Sequence, residues 1–269
     1  MTRPGLILLL LVLAACGRPV PAPGPGAEMS SARQIAPISV TAPNFSDADP
    51  HDWQGRSPAA YPVHGIDLSR WQVDVDWQTA RANGVNFAFI KATEGGDRLD
   101  PRYEGHRQAA TAAGVVHGAY HFYYWCTPPE VQARWFIANV PREAGHLPPV
   151  LDVEWNPHSP TCTRRPPPEE VRAQMRVFLD MLARHYGQRP VIYTTRDFWE
   201  QNALAQMTGE EFWLRSTAGH PSETYGGARW SFWQYSGTGL VPGIGGRVYR
   251  NAFAGSEAAW VEWLNRRRQ

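Results

Sequence analysis

The stretch Pro149-Val150-Leu151-Asp152-Val153-Glu154-Trp155 is an apolar run too short for a helix, closed by two carboxylates with one residue between them. A short run without alternation suits a strand covered on both faces, as in a parallel sheet. Side chains two apart on a strand project from one face with their Cβ atoms about 6 to 7 Å apart, so Asp152 and Glu154 address the same space. Burying carboxylates is costly unless a partner or a function compensates. The pair therefore marks both a strand and a candidate site.

Further runs of this kind flank it. Strands are expected at His64 to Ser69, Phe87 to Thr93, Val116 to Tyr123, Val150 to Glu154, Pro190 to Thr194, Phe212 to Ser216, Trp230 to Tyr235 and, more weakly, Arg247 to Asn251. Helical patterns fall at Trp77 to Asn83, Arg102 to Ala113, Glu130 to Val140, Glu169 to Tyr186 and Asp197 to Met207. A last helix, Glu257 to Arg268, carries Ala259, Trp260, Trp263 and Leu264 on one face. Alternating strands and helices imply an α/β fold with a largely parallel sheet, and about eight strands imply closure. The expectation is an irregular TIM-like (β/α) barrel of mostly parallel strands, irregular because the later units are short on helix.

A chain of 269 residues with 43% hydrophobic residues has enough apolar side chain for a sizeable core. Its 26 Lys plus Arg against 25 Asp plus Glu give a formal net charge of +1, which argues against nucleic acid as a partner and for an uncharged substrate. Residues 1–15 read as a signal peptide: Arg3, then the apolar run from Leu6 to Leu13, then small residues. Leu13-Ala14-Ala15-Cys16 resembles a bacterial lipobox, with Cys16 lipidated and first in the mature chain. By the same resemblance Gly17 after it suggests an outer-membrane lipoprotein facing the periplasm. Residues 16–60 are rich in Pro, Ala, Gly and Ser and are expected to form a disordered tether, with residues 61–269 as the folded domain. Without Cys16, Cys126 and Cys162 remain, and in an exported chain they most simply form one disulfide.

If the fold is a barrel, the site gathers at the carboxyl ends of its strands. Several strands finish there in polar groups: Asp67 and Ser69, Lys91 and Thr93 with Glu94, His121 and Tyr123, Asp152 and Glu154, Tyr193, and Gln234. Two carboxylates in different environments divide the labour that glycosidic cleavage requires, one donating a proton to the leaving oxygen and one stabilising positive charge. Aromatic residues such as Tyr120, Tyr193 and Trp213 would suit sugar faces, although the core is the commoner place for each. Other chemistries fit poorly. His117 and His121 lie on an expected strand and lack the i, i+4 geometry of helical metal ligands, two acids are too few for a calcium cage, and no Gly-x-Ser-x-Gly elbow is present. No metal or cofactor is implied.

Five segments together resemble the glycoside hydrolase family 25 lysozymes, or N-acetylmuramidases: Gly65-Ile66-Asp67-Leu68-Ser69, Phe89-Ile90-Lys91-Ala92-Thr93-Glu94-Gly95, Gly118-Ala119-Tyr120-His121-Phe122-Tyr123, Leu151-Asp152-Val153-Glu154 and Trp233-Gln234-Tyr235-Ser236. The resemblance spans about His64 to Gly255. It implies a modified α/β barrel that hydrolyses the β-1,4 bond between N-acetylmuramic acid and N-acetylglucosamine in peptidoglycan glycan strands. On that pattern Glu154 protonates the leaving oxygen, Asp152 orients the substrate's acetamido group or stabilises the intermediate, and Asp67 matches a third family carboxylate. Lys91 and Tyr193 match cleft positions.

One departure stands out. Where the family usually carries Val-Asp-x-Asn-x-Phe, this chain has Val248-Tyr249-Arg250-Asn251-Ala252-Phe253, so Tyr249 replaces a carboxylate. If that Asp raises the pKa of the catalytic acid by like-charge repulsion, its loss lowers the pH optimum. The leading expectation is a lipid-anchored, monomeric muramidase. The competing one is a peptidoglycan-binding protein impaired in turnover. A chitinase-like hydrolase fits less well, because only Asp152 stands near Glu154.

Overall fold

The computed structural model describes residues 39–143 and 146–267. The expected runs form β2 (His64–Leu68), β3 (Phe87–Glu94), β5 (Val116–Phe122), β6 (Val150–Val153), β7 (Val191–Thr194), β8 (Glu211–Arg215), β9 (Trp230–Leu240) and β10 (Val248–Phe253). Two short strands supplement them, β1 (Ser46–Asp47) and β4 (Arg98–Leu99). Parallel pairing runs from β2 through β3, β5, β6, β7 and β8 to β9. The reversed strand β10 then joins β9 to β2 and closes the ring, giving a mixed barrel of 8 strands.

Strand alternation explains the two cores. Phe87, Phe89, Val150, Val191, Tyr193, Trp213, Phe232 and Phe253 point inward and pack together. Their neighbours Ile66, Leu68, Ala88, Ile90, Leu151, Val153, Ile192, Phe212 and Leu214 point outward, toward the helical layer. Those helices are α1 (Trp77–Ala82), α2 (Tyr103–Ala112), α3 (Pro129–Asn139), α4 (Pro168–Tyr186), α5 (Arg196–Gln201) and α6 (Pro221–Thr224). The longest, α4, starts with Pro168 and two glutamates, ends with Arg184 and His185, and stops at Gly187, whose φ of 73° few other residues tolerate. The last helix, α7 (Glu257–Asn265), sends Trp260, Trp263 and Leu264 into the inner core, with Trp260 5.5 Å from Phe87 and Trp263 5.3 Å from Phe232. It plugs the end of the barrel opposite the strands' carboxyl termini.

Two sequence expectations change. The single helix expected over Asp197 to Met207 is broken at Ala203, whose φ is 48°, into α5 and a short 3-10 turn. The disordered tether expected over 16–60 does not extend through residues 39–60, which lie on the barrel. Asp47 of β1 accepts from Ser236 and Thr238, each at 2.6 Å, and pairs with Arg250. Arg81 donates to Thr41 at 2.7 Å, and Trp53 meets Trp233 edge to face at 5.1 Å. Composition misled here because scattered contacts, polar ones from Asp47 and Thr41 and apolar ones from Val40, Phe45 and Trp53, hold the strap without a continuous apolar run. The remaining tether residues, the expected signal peptide and Cys16 lie outside the described residues.

Cys126 and Cys162 are joined, with their Cα atoms 5.7 Å apart. The bridge ties the loop after β5 to the loop after β6, which begins at Glu154.

Candidate active site

The barrel strands deliver inward residues to one rim: Asp67 from β2, Lys91 from β3, Tyr120 from β5, Asp152 and then Glu154 from β6, Tyr193 from β7, Arg215 from β8 and Gln234 from β9. Because β10 runs the other way, its early residues reach the same rim. Tyr249 is the register partner of Asp67, and Asn251 that of Gln234. The expected carboxylates therefore do converge.

Asp67 is buried and held by two amides: its Oδ1 accepts from Gln234 at 2.9 Å and from Asn251 at 2.8 Å. Those amides are themselves fixed. Tyr193 donates to Gln234 Oε1 at 3.0 Å, and the Trp213 indole donates to Asn251 Oδ1 at 2.8 Å. Burial pushes the Asp67 pKa up to about 6, against the pull of Asn251, Gln234 and Arg215.

Asp152 is buried too, and its Oδ1 has no hydrogen-bond partner among the described residues. Burial, and then repulsion from Glu154, holds its carboxyl well above the ordinary range. Glu154 sits one residue beyond β6 and is partly exposed. Burial raises its pKa to about 7; Arg215 and Lys91 pull it down, while Asp197 and Asp67 push it up. With both acids raised and interacting, the pair binds its protons jointly. A proton is thus available near neutral pH beside a buried acid that lacks a donor.

The other expected residues differ in how far they reach the mouth. Trp213, expected at a sugar face, is 2% exposed, stacks on Phe89 at 4.5 Å inside the barrel and holds Asn251. Gln234, also 2% exposed, is occupied by Asp67 and Tyr193. Tyr193 is buried in the same chain of hydrogen bonds. Thr93 and His121 bond each other at 2.7 Å behind the strands, with His121 reaching Gln132 of α3, and do not face the rim. Lys91 bonds Glu94 at 2.6 Å and lies over the Phe122 ring. Tyr120 lies among Asp67 and Asp152, whose charges add to burial in raising its hydroxyl's pKa. Tyr249 is 40% exposed at the mouth.

Sequence reasoning missed Arg215, Asn251 and Asp197. For the first two, counting by twos from Trp213 and Phe253 along their strands would have placed them on the inner face. Asp197 acts from α5, outside that count.

Cavities surround the rim. One of about 650 Å³ lies between the strap and β9 and β10, lined by His51, Trp53, Arg215 and Tyr249. Another of about 420 Å³ lies beside α5 and includes Arg215 and Asp197. A third, of about 310 Å³, is bounded by Ser69, Trp71, Lys91 and Glu94, with the Trp71 side chain 73% exposed. A separate cavity of about 360 Å³ at the far end, lined by Arg107, His117, Glu143 and His146, does not include Asp67, Asp152 or Glu154.

Comparison with known proteins agrees with this geometry. A model of the family described as "Glycosyl hydrolases family 25" matches residues 66–244. The uncharacterized protein YegX of Escherichia coli O157:H7 is 37% identical over 205 residues, covering 74% of this chain and 72% of that protein. Lysozyme M1 of Streptomyces globisporus is 36% identical over 217 residues, covering 76% and 71% respectively. Among solved structures, a family 25 glycosyl hydrolase from Bacillus anthracis superposes with a TM-score of 0.72 at 30% identity, covering 81% of this chain and 98% of that one. A lysozyme from Streptomyces coelicolor gives 0.67 at 34% identity, covering 76% and 98%.

Proposed function

The chain belongs to glycosyl hydrolase family 25, and from that premise we propose that it cleaves the β-1,4 bond between N-acetylmuramic acid and N-acetylglucosamine, with Glu154 as general acid. The observation carrying this reading is the pair of raised carboxyls at the barrel mouth, Glu154 at about 7 and Asp152 above its ordinary range with Oδ1 unpartnered among the described residues.

In this reading the substrate's acetamido N–H donates to Asp152 Oδ1. A donor there favours the ionised form of Asp152, and the remaining proton of the pair then resides on Glu154. Asp152 holds the acetamido oxygen against the anomeric carbon. As the C1–O bond breaks, its electron pair stays on the leaving oxygen, which takes the proton from Glu154. Glu154, now ionised, removes a proton from the water that adds to C1. Asp67, fixed by Gln234 and Asn251, adds negative charge that favours the positive character developing at the ring. Turnover should decline as pH rises through about 7, where Glu154 loses its proton.

The same reading places the enzyme outside the cytoplasm, as a lipoprotein anchored through Cys16. The Cys126–Cys162 bridge supports an oxidising compartment. Mass analysis of the mature N-terminus tests the anchor: an unmodified start at another residue overturns it.

The activity is tested by incubating the full chain, beside Glu154→Gln, with purified peptidoglycan from acidic to neutral pH and following reducing ends and product masses. Soluble fragments ending in reducing N-acetylmuramic acid, absent with Glu154→Gln, are the expected result. Binding to the wall without products would favour the second reading that Tyr249 motivates, a wall-binding protein that has lost turnover.

A further inference from the structure

Arg215 is the last residue of β8, two beyond the inward Trp213, so its side chain rises from the inner column into the mouth. Its backbone is fixed on both sides, paired in register with Gln234 and accepting at its carbonyl from the Tyr225 hydroxyl. The side chain is exposed. It also borders both the 650 Å³ and the 420 Å³ cavities.

The other arginines lining those cavities are engaged. Arg250 pairs with Asp47, and Arg196 with Glu200 at 2.8 Å. Arg215 pairs with no carboxylate among the described residues. An unpaired guanidinium on a fixed backbone is a ready fork for a planar anion. Hydroxyls of Thr217 and Tyr249 line the same space and add donors.

The charge balance of the mouth gives this fork a task. Asp67, Asp152 and Glu154 form its floor, and Lys91 is tied to Glu94. A glycan strand bearing muramic acid is itself anionic, through the lactyl carboxylate when the stem peptide is absent and through stem carboxylates when it is present. A negative floor repels such a strand unless a cation at the rim receives its carboxylate.

We propose that Arg215 is a specificity-determining residue that pairs with a carboxylate of the glycan strand where the two cavities meet. The inference rests on the muramidase reading for its substrate. It goes beyond that reading by naming the group recognised.

The test measures binding without turnover, by calorimetry on Glu154→Gln and on Glu154→Gln combined with Arg215→Gln or Arg215→Lys. The ligands are stem-free glycan oligomers with free lactyl carboxylates, oligomers bearing peptide stems, and both after amidation of their carboxylates. Glu154→Gln should bind at least one carboxylate form about tenfold or more tightly than its amidated counterpart, a preference that weakens with salt. Arg215→Gln should abolish the preference and Arg215→Lys keep part of it, with unchanged thermal midpoints. Loss on stem-free oligomers assigns the lactyl carboxylate as the source, and loss on stem-bearing ones alone assigns the stem. A preference that survives Arg215→Gln, or no preference in Glu154→Gln at all, overturns the proposal. Reducing-end release by the wild-type chain is scored separately, so an inactive wild type with an Arg215-dependent preference refutes the muramidase reading and spares this one.

Discussion

Asp67 and Tyr249 face each other as register partners across the antiparallel seam between β2 and β10. The phenol therefore stands beside a buried carboxylate, and its ring rests against Gly237, where an added Cβ would lie 3.0 Å from it. Negative charge from Asp67, Glu154 and Asp152 adds to burial in raising the pKa of the Tyr249 hydroxyl. A charge installed at this position acts back on the same carboxyls.

Tyr249→Asp should accordingly raise the pKa of Glu154 and of Asp67 and move the alkaline limb of activity upward, by about one pH unit. A profile of kcat/KM against pH for the two proteins checks this. Superimposable profiles would contradict tuning from this position. Burial already holds Glu154 at about 7 with tyrosine present, so the variant adjusts the optimum and is not needed to create it.

Asp152→Asn should cost activity and gain stability. The folded-state pKa of Asp152 lies above its unfolded value, so between those values the folded chain binds more protons and stability falls as pH rises through that interval. Asparagine does not titrate. Above the interval the variant should be more stable by about 1 to 3 kcal/mol, the scale of an unpartnered buried polar group. The advantage should shrink on acidification, which thermal midpoints from pH 4 to 8 would show. A midpoint lowered equally at every pH would refute this account.

Asn251→Leu leaves the Trp213 indole without its acceptor and Asp67 with Gln234 alone. A loss of about 1 to 3 kcal/mol in stability follows from the orphaned donor. With one favourable hydrogen bond gone, the Asp67 pKa rises further, so activity should fall most on the acidic side of the optimum. Denaturant unfolding beside a pH–rate profile separates the two effects, and a uniform loss of rate at all pH values would deny Asp67 a role as a charged group.

Removing the Cys126–Cys162 bridge by the double serine substitution frees a loop spanning 36 positions. The chain-entropy account predicts about 3 to 4 kcal/mol of destabilisation. Glu154 opens one of the tied loops, the other reaches its carbonyl through Trp125, and Trp155, whose indole donates to Gln201 at 2.7 Å, is the next residue. KM should therefore rise alongside the fall in melting temperature. An unchanged melting temperature in the double variant would show that the loops are held by their other contacts.

The barrel was legible because its strands are unbroken apolar runs closed by polar residues, and Asp152 and Glu154 share a face for the simple reason that a strand repeats every two residues. The same rule, applied further, separates Trp213 from Arg215: one is a layer down among Phe89 and Phe232, the other is at the rim. Residue type drew the reading to the aromatic member, whereas depth along the strand decides which of the two reaches the mouth. Gln234 and Asn251 were harder still, since which buried amide serves Asp67 depends on the pairing of β10 between β9 and β2. The strap was hidden by composition, because two residues of β1 carry no periodicity and Asp47 alone makes most of its bonds.

The closing of the ring by its first and last strands has a temporal consequence. Asp47 finds Ser236 across 189 positions of sequence, and Asp67 finds Asn251 across 184. Such distant partners meet only after most of the chain has been synthesised, and topologies of this kind fold slowly. Until β9 and β10 arrive, Asp67 has neither of its amide donors, Arg215 has no fixed backbone partner in Gln234, and the cavity beneath the strap has no wall. Its cutting edge is therefore among the last parts to form, so a nascent or truncated chain carries the acids without the blade.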